Sequence, residues 1–245
     1  MLTHPTLEKL RQMKLYGMTK EFEKQLNCSD YEGLSFEERF GILVDMEMTE
    51  KETRRLTTRL RQAKLRQQAC MEDIDYRTPR KLDKALIKSL GTCIWLKDKL
   101  NILLTGPTGA GKSFIACALG HRACLHGYRT LYFRLPRLLH DLAVARGDGR
   151  YGKIMKSISR AELLIIDDWG LVKVTEQEQM DFLEILEDRY GIRSTIIASQ
   201  VAPSHWHELM SNPTIADAIL DRFIHNAYMI DIVGDSMRKK KSPPL

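Results

Sequence analysis

The sequence predicts an α/β fold: a largely parallel sheet flanked by helices, with a small all-helical region in front and no helical lid behind. Three observations predict it. Residues 106–113 read Gly-Pro-Thr-Gly-Ala-Gly-Lys-Ser, between a short apolar run, Asn101–Thr105, and a helix-forming stretch from Phe114 to Cys124. A second apolar run begins at Ala161 and ends in Asp167-Asp168. Apolar strand-like runs then alternate with amphipathic helical segments, the order that produces parallel strands with right-handed crossovers.

The first 70 residues read as helices. Leu7, Leu10 and Met13 recur at helical spacing. Gly17-Met18 is expected to break or bend that stretch, and a second helix is expected over Thr19–Leu26. Ser35 with Glu38 three residues on forms a capping-box pattern. It opens a long helix with Phe36, Phe40, Leu43, Val44, Leu56 and Leu60 as expected buried positions. That helix turns basic: Lys51 is followed by Arg54, Arg55, Arg59, Arg61, Lys64 and Arg66. On a helical wheel Arg55, Arg59 and Arg66 line one face, and Arg54 and Arg61 another. Such a helix lies along a duplex and neutralises phosphates, or is simply a solvated face. Aromatic residues do not interleave, so base stacking is not indicated. Residues 71–100 read as a connector, turn-like at Tyr76–Arg80 and helical over Lys81–Leu90. Trp95 and Leu96 either line an adenine pocket or pack in the core.

The loop at 106–113 has the spacing G-x-x-x-x-G-K-S. Its glycines let successive backbone N–H groups turn inward around phosphates. Lys112 adds a positive charge for the β- and γ-phosphates, and Ser113 offers a hydroxyl to Mg²⁺. Set between strand and helix, the loop places phosphates on a helix N-terminus, where the macrodipole favours anions. Gly106, Pro107, Thr108, Gly109, Ala110, Gly111, Lys112, Ser113 and the following Phe114 are therefore the candidate nucleotide-binding residues. A continuous apolar run suits a central strand buried on both faces. An acid at its C-terminal end lies in the crevice where open α/β sheets bind ligands. Asp167 is expected to organise Mg²⁺ with Ser113, and Asp168 to orient or deprotonate the attacking water.

Further strands are expected at Thr130–Phe133 and Arg193–Gln200, and a last one at Tyr228–Ile232. Helices are expected at Pro136–Val144, after Thr175, and at Ile215–Ile224. Arg146–Arg150 reads as a loop. Arg146, Arg150 and Lys153, with Lys156 and Arg160, form a second basic cluster. Ser199 or Gln200, at a strand tip, is expected to contact the attacking water or the γ-phosphate. Arg222 either reaches a γ-phosphate on a neighbouring subunit or is a salt-bridged surface residue. His205 and His207 are two apart and diverge on a helix, with no third ligand nearby, so a metal reading is rejected.

The bulk numbers bound the partners. Of 245 residues 43% are hydrophobic, enough for a packed core, and the formal charge is +6, which makes a polyanionic partner reasonable. The five cysteines show no C-x-x-C pair and read as reduced thiols of a cytoplasmic protein. No apolar run spans a bilayer, and no leader pattern opens the chain.

Taken together, "LSFEERF", the arginine-rich helix, GPTGAGKS, "LLIIDDWG", "IIASQ", "WHEL" and "DRFIHNAYMIDIVGDSMRKK" resemble the IstB-like transposition helper ATPases, of the initiator and helicase-loader group of AAA+ proteins. The resemblance implies a helical DNA-binding and assembly domain over 1–70, a connector over 71–100, an AAA+ core over 101–236 and a basic tail over 237–245. It implies an ATPase that binds ATP with Mg²⁺ and duplex DNA with little sequence preference, and assembles on that DNA. It then delivers target DNA to a cognate transposase and is reset by hydrolysis. Carried over by motif, Lys112 and Ser113 bind phosphate and metal, Asp167 organises the metal and Asp168 is the catalytic acid. Ser199 or Gln200 is the first sensor, Arg222 the arginine finger, and Arg238 lies where a second sensor acts. Most AAA+ ATPases carry Glu where this chain has Asp168, one methylene shorter. A DnaC-type helicase loader is the alternative reading, and a small-molecule kinase the third.

Overall fold

The computed structural model describes residues 5–237. The chain divides into two compact units between Thr58 and Arg59, ahead of the boundary expected at residue 70.

The first unit carries α1 (Pro5–Gln12), α2 (Tyr16–Asn27) and most of α3 (Phe36–Ala63). Gly17 does not break a helix, against expectation. The break falls at Met13–Leu15, where Lys14 takes a φ of 60°, and Gly17 sits in the first turn of α2. A Cβ there would lie 2.4 Å from the Met46 carbonyl oxygen, so glycine permits α2 to pack closely on α3. The N–H groups of Gly17 and Met18 donate to Glu47 Oε2 at 2.8 and 3.1 Å. This buried carboxylate satisfies two orphan donors and complements the helix dipole.

The capping box of α3 forms: Glu38 N–H donates to Ser35 Oγ, and Ser35 N–H to Glu38 Oε2. The apolar positions after it are a correction. Phe36, Phe40 and Val44 are 74%, 48% and 38% exposed. The side of α3 turned to α2 carries polar groups instead. Gln25 Nε2 donates to the Arg39 carbonyl, and Lys20 Nζ to Glu50. The stripe of Arg39, Leu43, Glu47 and Glu50 is the seam, and Phe36 and Phe40 stack on each other outside it, with centroids 5.9 Å apart.

The second unit is built on five parallel strands: β1 (Asn101–Thr105), β2 (Thr130–Arg134), β3 (Leu163–Trp169), β4 (Ser194–Ser199) and β5 (Ala227–Asp231), in the order β2-β3-β4-β1-β5. Alternate residues of the central strands feed two cores, as the period of two requires. Ile102, Leu104, Ile165, Ile196 and Ala198 face the core that holds α6 (Lys112–Leu125). Leu103, Leu164, Ile166 and Ile197 face the core that holds α7 (Leu135–Gly147), α8 (Tyr151–Ser159), α9 (Glu176–Glu187) and α10 (Pro213–Ile224). Burial on both faces explains why these strands read as unbroken apolar runs.

The expected connector belongs to this unit. Ala69, Ile74, Ile87 of α4 (Lys84–Leu90), and Trp95 and Leu96 of α5 (Ile94–Lys97) share a core with β1 and α6. Trp95 is buried there and donates its indole N–H to the Leu90 carbonyl, which answers the adenine-or-packing choice with packing. Helix α7 extends through Gly147, so Arg146 is helical rather than in a loop. Among the described residues no helix follows β5.

Candidate active site

The phosphate loop sits where its spacing predicts, between β1 and α6. Gly106 has φ of 139°, and a Cβ there would lie 2.0 Å from the Ile232 carbonyl oxygen. Gly111 has φ of 103°, and a Cβ there would meet Arg80 Nη1 at 2.6 Å. Glycine is therefore required at both places by conformation and by close neighbours.

Those neighbours hold the loop from two sides. Arg80 is buried; its Nη1 donates to the Ala110 carbonyl at 2.9 Å and its Nη2 to the Asp75 carbonyl. The chain after β5 runs along the loop, with Ile232 N–H on the Thr105 carbonyl, Val233 N–H on Arg80 and Met237 N–H on Gly109 at 2.9 Å. Arg238, the expected second sensor, lies outside the described residues. Lys112 opens α6, is buried, and donates Nζ to the Gly106 and Pro107 carbonyls at 2.6 and 2.8 Å. Ser113 follows it in the first turn. Phe114 packs against the α6 core.

The acidic strand tip is less regular than its sequence. Ile166 pairs with Ile197 but Trp169 with Ser199, so β3 carries one extra residue across this interval. Asp168 takes a φ of 61°, a left-handed conformation that costs a non-glycine residue on the order of 1 kcal/mol. In a regular strand adjacent side chains point to opposite faces. The bulge brings these two together: Arg66 Nη1 lies 3.5 Å from Asp167 Oδ2 and 3.6 Å from Asp168 Oδ2. Asp167 is 1% exposed and accepts from the Tyr132 hydroxyl at 2.6 Å and the Asp168 N–H at 2.9 Å. Burial, and then the bond to Asp167, push the Tyr132 hydroxyl pKa far up, so Tyr132 remains a donor to that carboxylate. Asp168 accepts from Arg134 Nε at 2.5 Å.

At the tip of β4 the two sensor candidates differ. Ser199 is buried, and its hydroxyl is held locally, donating to the Val201 carbonyl and accepting from the Val201 N–H. Gln200 reaches the loop: Thr108 Oγ1 donates to Gln200 Oε1 at 2.7 Å. Phosphate loop, β3 acids and Gln200 thus lie at the C-terminal ends of β1, β3 and β4, which are neighbours in the sheet. The oxygen set there, the Ser113 hydroxyl and Asp167 carboxylate beside Asp168, is the hard-donor chemistry that suits Mg²⁺.

Other predicted residues lie apart. Arg222 donates to Glu187 at 2.9 Å and Asp221 at 2.6 Å and lies over the Tyr190 ring, a surface salt-bridged position. The expected stripe of Arg55, Arg59 and Arg66 is corrected. Helix α3 ends at Ala63 and Lys64 turns to a φ of 51°, so Arg66 is not on its wheel and stands at the acids instead. Arg59 Nε donates to the Cys124 carbonyl at 3.0 Å. Arg54 pairs with Glu50 and lies over Tyr16, while Arg55 and Arg61 are exposed. In the second cluster Arg146 pairs with Asp181 and lies over Tyr151, Arg150 pairs with Asp148, and Lys153 is exposed.

Sequence reasoning missed Arg80, Tyr132 and Arg134. Arg134 is the register partner of Asp167 on β2, and a charged residue closing an apolar strand was its available signal. Arg80 precedes the loop by two helices and a strand, and nothing in its local sequence marks it.

The chain is similar to known proteins along most of its length. The family model of the IstB-like ATP binding protein matches residues 8–243. An insertion-sequence ATP-binding protein of Sinorhizobium fredii, y4pL, is 51% identical over 98% of both chains. An ATP-binding protein in an insertion sequence of Mycobacterium tuberculosis is 32% identical, covering 96% of this chain and 94% of its own. Among solved structures, the replication initiator DnaA bound to AMPPCP and single-stranded DNA aligns with a TM-score of 0.59 at 19% identity, over 70% of this chain and 52% of that one. DnaI aligns with a TM-score of 0.57 at 21% identity, over 67% and 91%. These two likenesses show the fold, an AAA+ sheet with its helices. On the family match and the relatives, the chain belongs to the IstB-like ATP-binding proteins of insertion sequences.

Proposed function

We propose that this protein is an ATPase that binds duplex DNA with little sequence preference, self-assembles on it in the cytoplasm, and delivers target DNA to the transposase of its insertion sequence. Hydrolysis resets the complex. The observation that carries the ATPase part is the convergence of Lys112, the paired Asp167 and Asp168, and Gln200 on one crevice edge. The insertion-sequence relatives carry the biological part.

In this reading the loop N–H groups and Lys112 hold the phosphates, with Lys112 leaving the Gly106 and Pro107 carbonyls for them. Ser113 and Asp167 would hold Mg²⁺, which would supply positive charge beside the phosphates. Tyr132 and the Asp168 N–H keep Asp167 aimed. Asp168 orients or deprotonates the attacking water, and its shorter arm makes hydrolysis slow until assembly completes the site. Gln200, already bonded to the loop through Thr108, is the sensor rather than Ser199. Arg222 lies away from its own loop, so it acts on the nucleotide of a neighbouring subunit and leaves Glu187 to do so.

The test is the ATPase rate and particle mass, each with and without duplex DNA, at two salt concentrations. DNA-stimulated turnover with a large ATP-dependent assembly supports the proposal. A monomer indifferent to duplex overturns it and leaves the helicase-loader reading.

A further inference from the structure

Away from the crevice, the second unit has an open cavity of about 650 Å³ lined by Met71, Ile74, Tyr76, Lys84, Lys88 and Arg122, with Glu72 and His126 at its wall. Lys112 and Arg122 stand ten residues apart on α6, so the cavity lies about 15 Å along that helix from the phosphate loop, at its other end. It is therefore not part of the nucleotide crevice.

Two helices bring basic side chains to it: Lys84 and Lys88 at i, i+4 spacing on α4, and Arg122 in the last turn of α6, with His126 at the C-cap of that helix. Among the described residues none of Lys84, Lys88 and Arg122 makes an ion pair. Helix dipoles account for part of the cluster only. Lys88 and Arg122 lie in last turns, where cations are favoured, and Arg122 Nε donates to the Gly91 carbonyl at 3.2 Å. Lys84 is the first residue of α4, where the dipole opposes it, and it is held over the Tyr76 ring at 5.5 Å. Like charges gathered around one cavity with a single acid repel each other, and an anion relieves that repulsion.

We propose that this cavity binds the sugar-phosphate backbone of duplex DNA, with Lys84, Lys88 and Arg122 on successive phosphates and Met71, Ile74 and Tyr76 against the deoxyribose. The inference rests on the DNA-binding reading and deepens it, because it places a DNA contact on the ATPase unit at residues outside both basic clusters of the sequence. Contacts of this kind position a duplex without reading its bases.

The experiment compares the full-length protein with Lys84→Ala/Lys88→Ala and with Lys97→Ala/Lys173→Ala, which removes equal charge from exposed positions on the same unit. Binding of a labelled mixed-sequence duplex is followed over a salt series, and a thermal unfolding midpoint confirms that each variant is folded. The cavity variant is expected to lose about 2 from the slope of log affinity against log salt, and on the order of tenfold in affinity at low salt, while the control keeps the parent slope. A parent-like slope in the folded cavity variant, or an equal loss in the control, overturns the cavity site and leaves DNA binding itself standing. Absence of duplex binding by the parent protein overturns the DNA reading on which it rests.

Discussion

The arginines around the crevice and those along α3 carry the same charge in different surroundings. Arg80 is buried with two carbonyl partners on fixed backbone, and Arg66 and Arg134 converge on Asp168. On α3, Arg54 meets a glutamate one turn away at 3.4 Å, and Arg55 and Arg61 extend into solvent. Exposed pairs contribute about 0–1 kcal/mol each, whereas truncating a buried hydrogen-bonded charge costs several times more. The crevice therefore concentrates its energetics in single residues, and α3 spreads whatever it contributes over many.

The sharpest test of that contrast is Lys112→Ala. It removes the one cation inside the loop, so nucleotide affinity should fall by about a hundredfold or more, and nucleotide-dependent assembly should disappear with it. Titration with a fluorescent ATP analogue reads the first effect. Affinity within threefold of the parent would mean that the backbone N–H groups hold the phosphates unaided.

Asp168→Asn comes next. It keeps the shape of the bulge and removes the base, so ATP still binds while turnover falls by about 10²–10⁴-fold and the DNA complex becomes long-lived. Single-turnover hydrolysis with a parallel binding assay separates the two. Normal turnover would move the catalytic role away from Asp168, and Asp167 would be next in line.

How much of this was legible depends on which residues must meet. The loop and the acidic strand could be read because each is specified by a contiguous pattern: G-x-x-x-x-G-K-S for one, an apolar run ending in acids for the other. The bulge could not, because it is a property of β3 and β4 together, and nothing in Ile166–Trp169 alone announces an extra residue. The sequence does not separate Gln200 from Ser199 for the same reason, since the Thr108 contact joins segments 92 positions apart. Arg66 falls off the helical wheel because α3 does not continue past Ala63. Lys64 ends the helix in a left-handed conformation without the glycine that usually signals it. Phe36 and Phe40 are exposed, against the hydrophobic pattern, because α3 uses Glu47 and Glu50 at its seam, where that pattern looks for apolar side chains.

Arg66→Ala follows in size and tests whether that residue belongs to the crevice or to the duplex. Arg66 is partly exposed and lies 3.5 Å from Asp167, so its removal should change ATP turnover about fivefold, in keeping with an interaction near 1 kcal/mol. The salt slope of duplex binding should stay at the parent value. A slope lower by about 1 with unchanged turnover would return Arg66 to the DNA surface.

The smallest effect is expected from Arg55→Ala/Arg61→Ala. Neither side chain makes an ion pair among the described residues, so neither has an internal role to lose, and the unfolding midpoint should barely move. If both face phosphates, the salt slope falls by about 2 and affinity drops for every sequence alike, because phosphate contacts carry no base information. If they are simply a solvated face, slope and affinity both remain at the parent values. The measurement is a salt series on two duplexes of unrelated sequence. An unequal loss on the two would contradict a backbone role, and an unchanged slope would shift the weight of DNA binding from α3 to the ATPase unit.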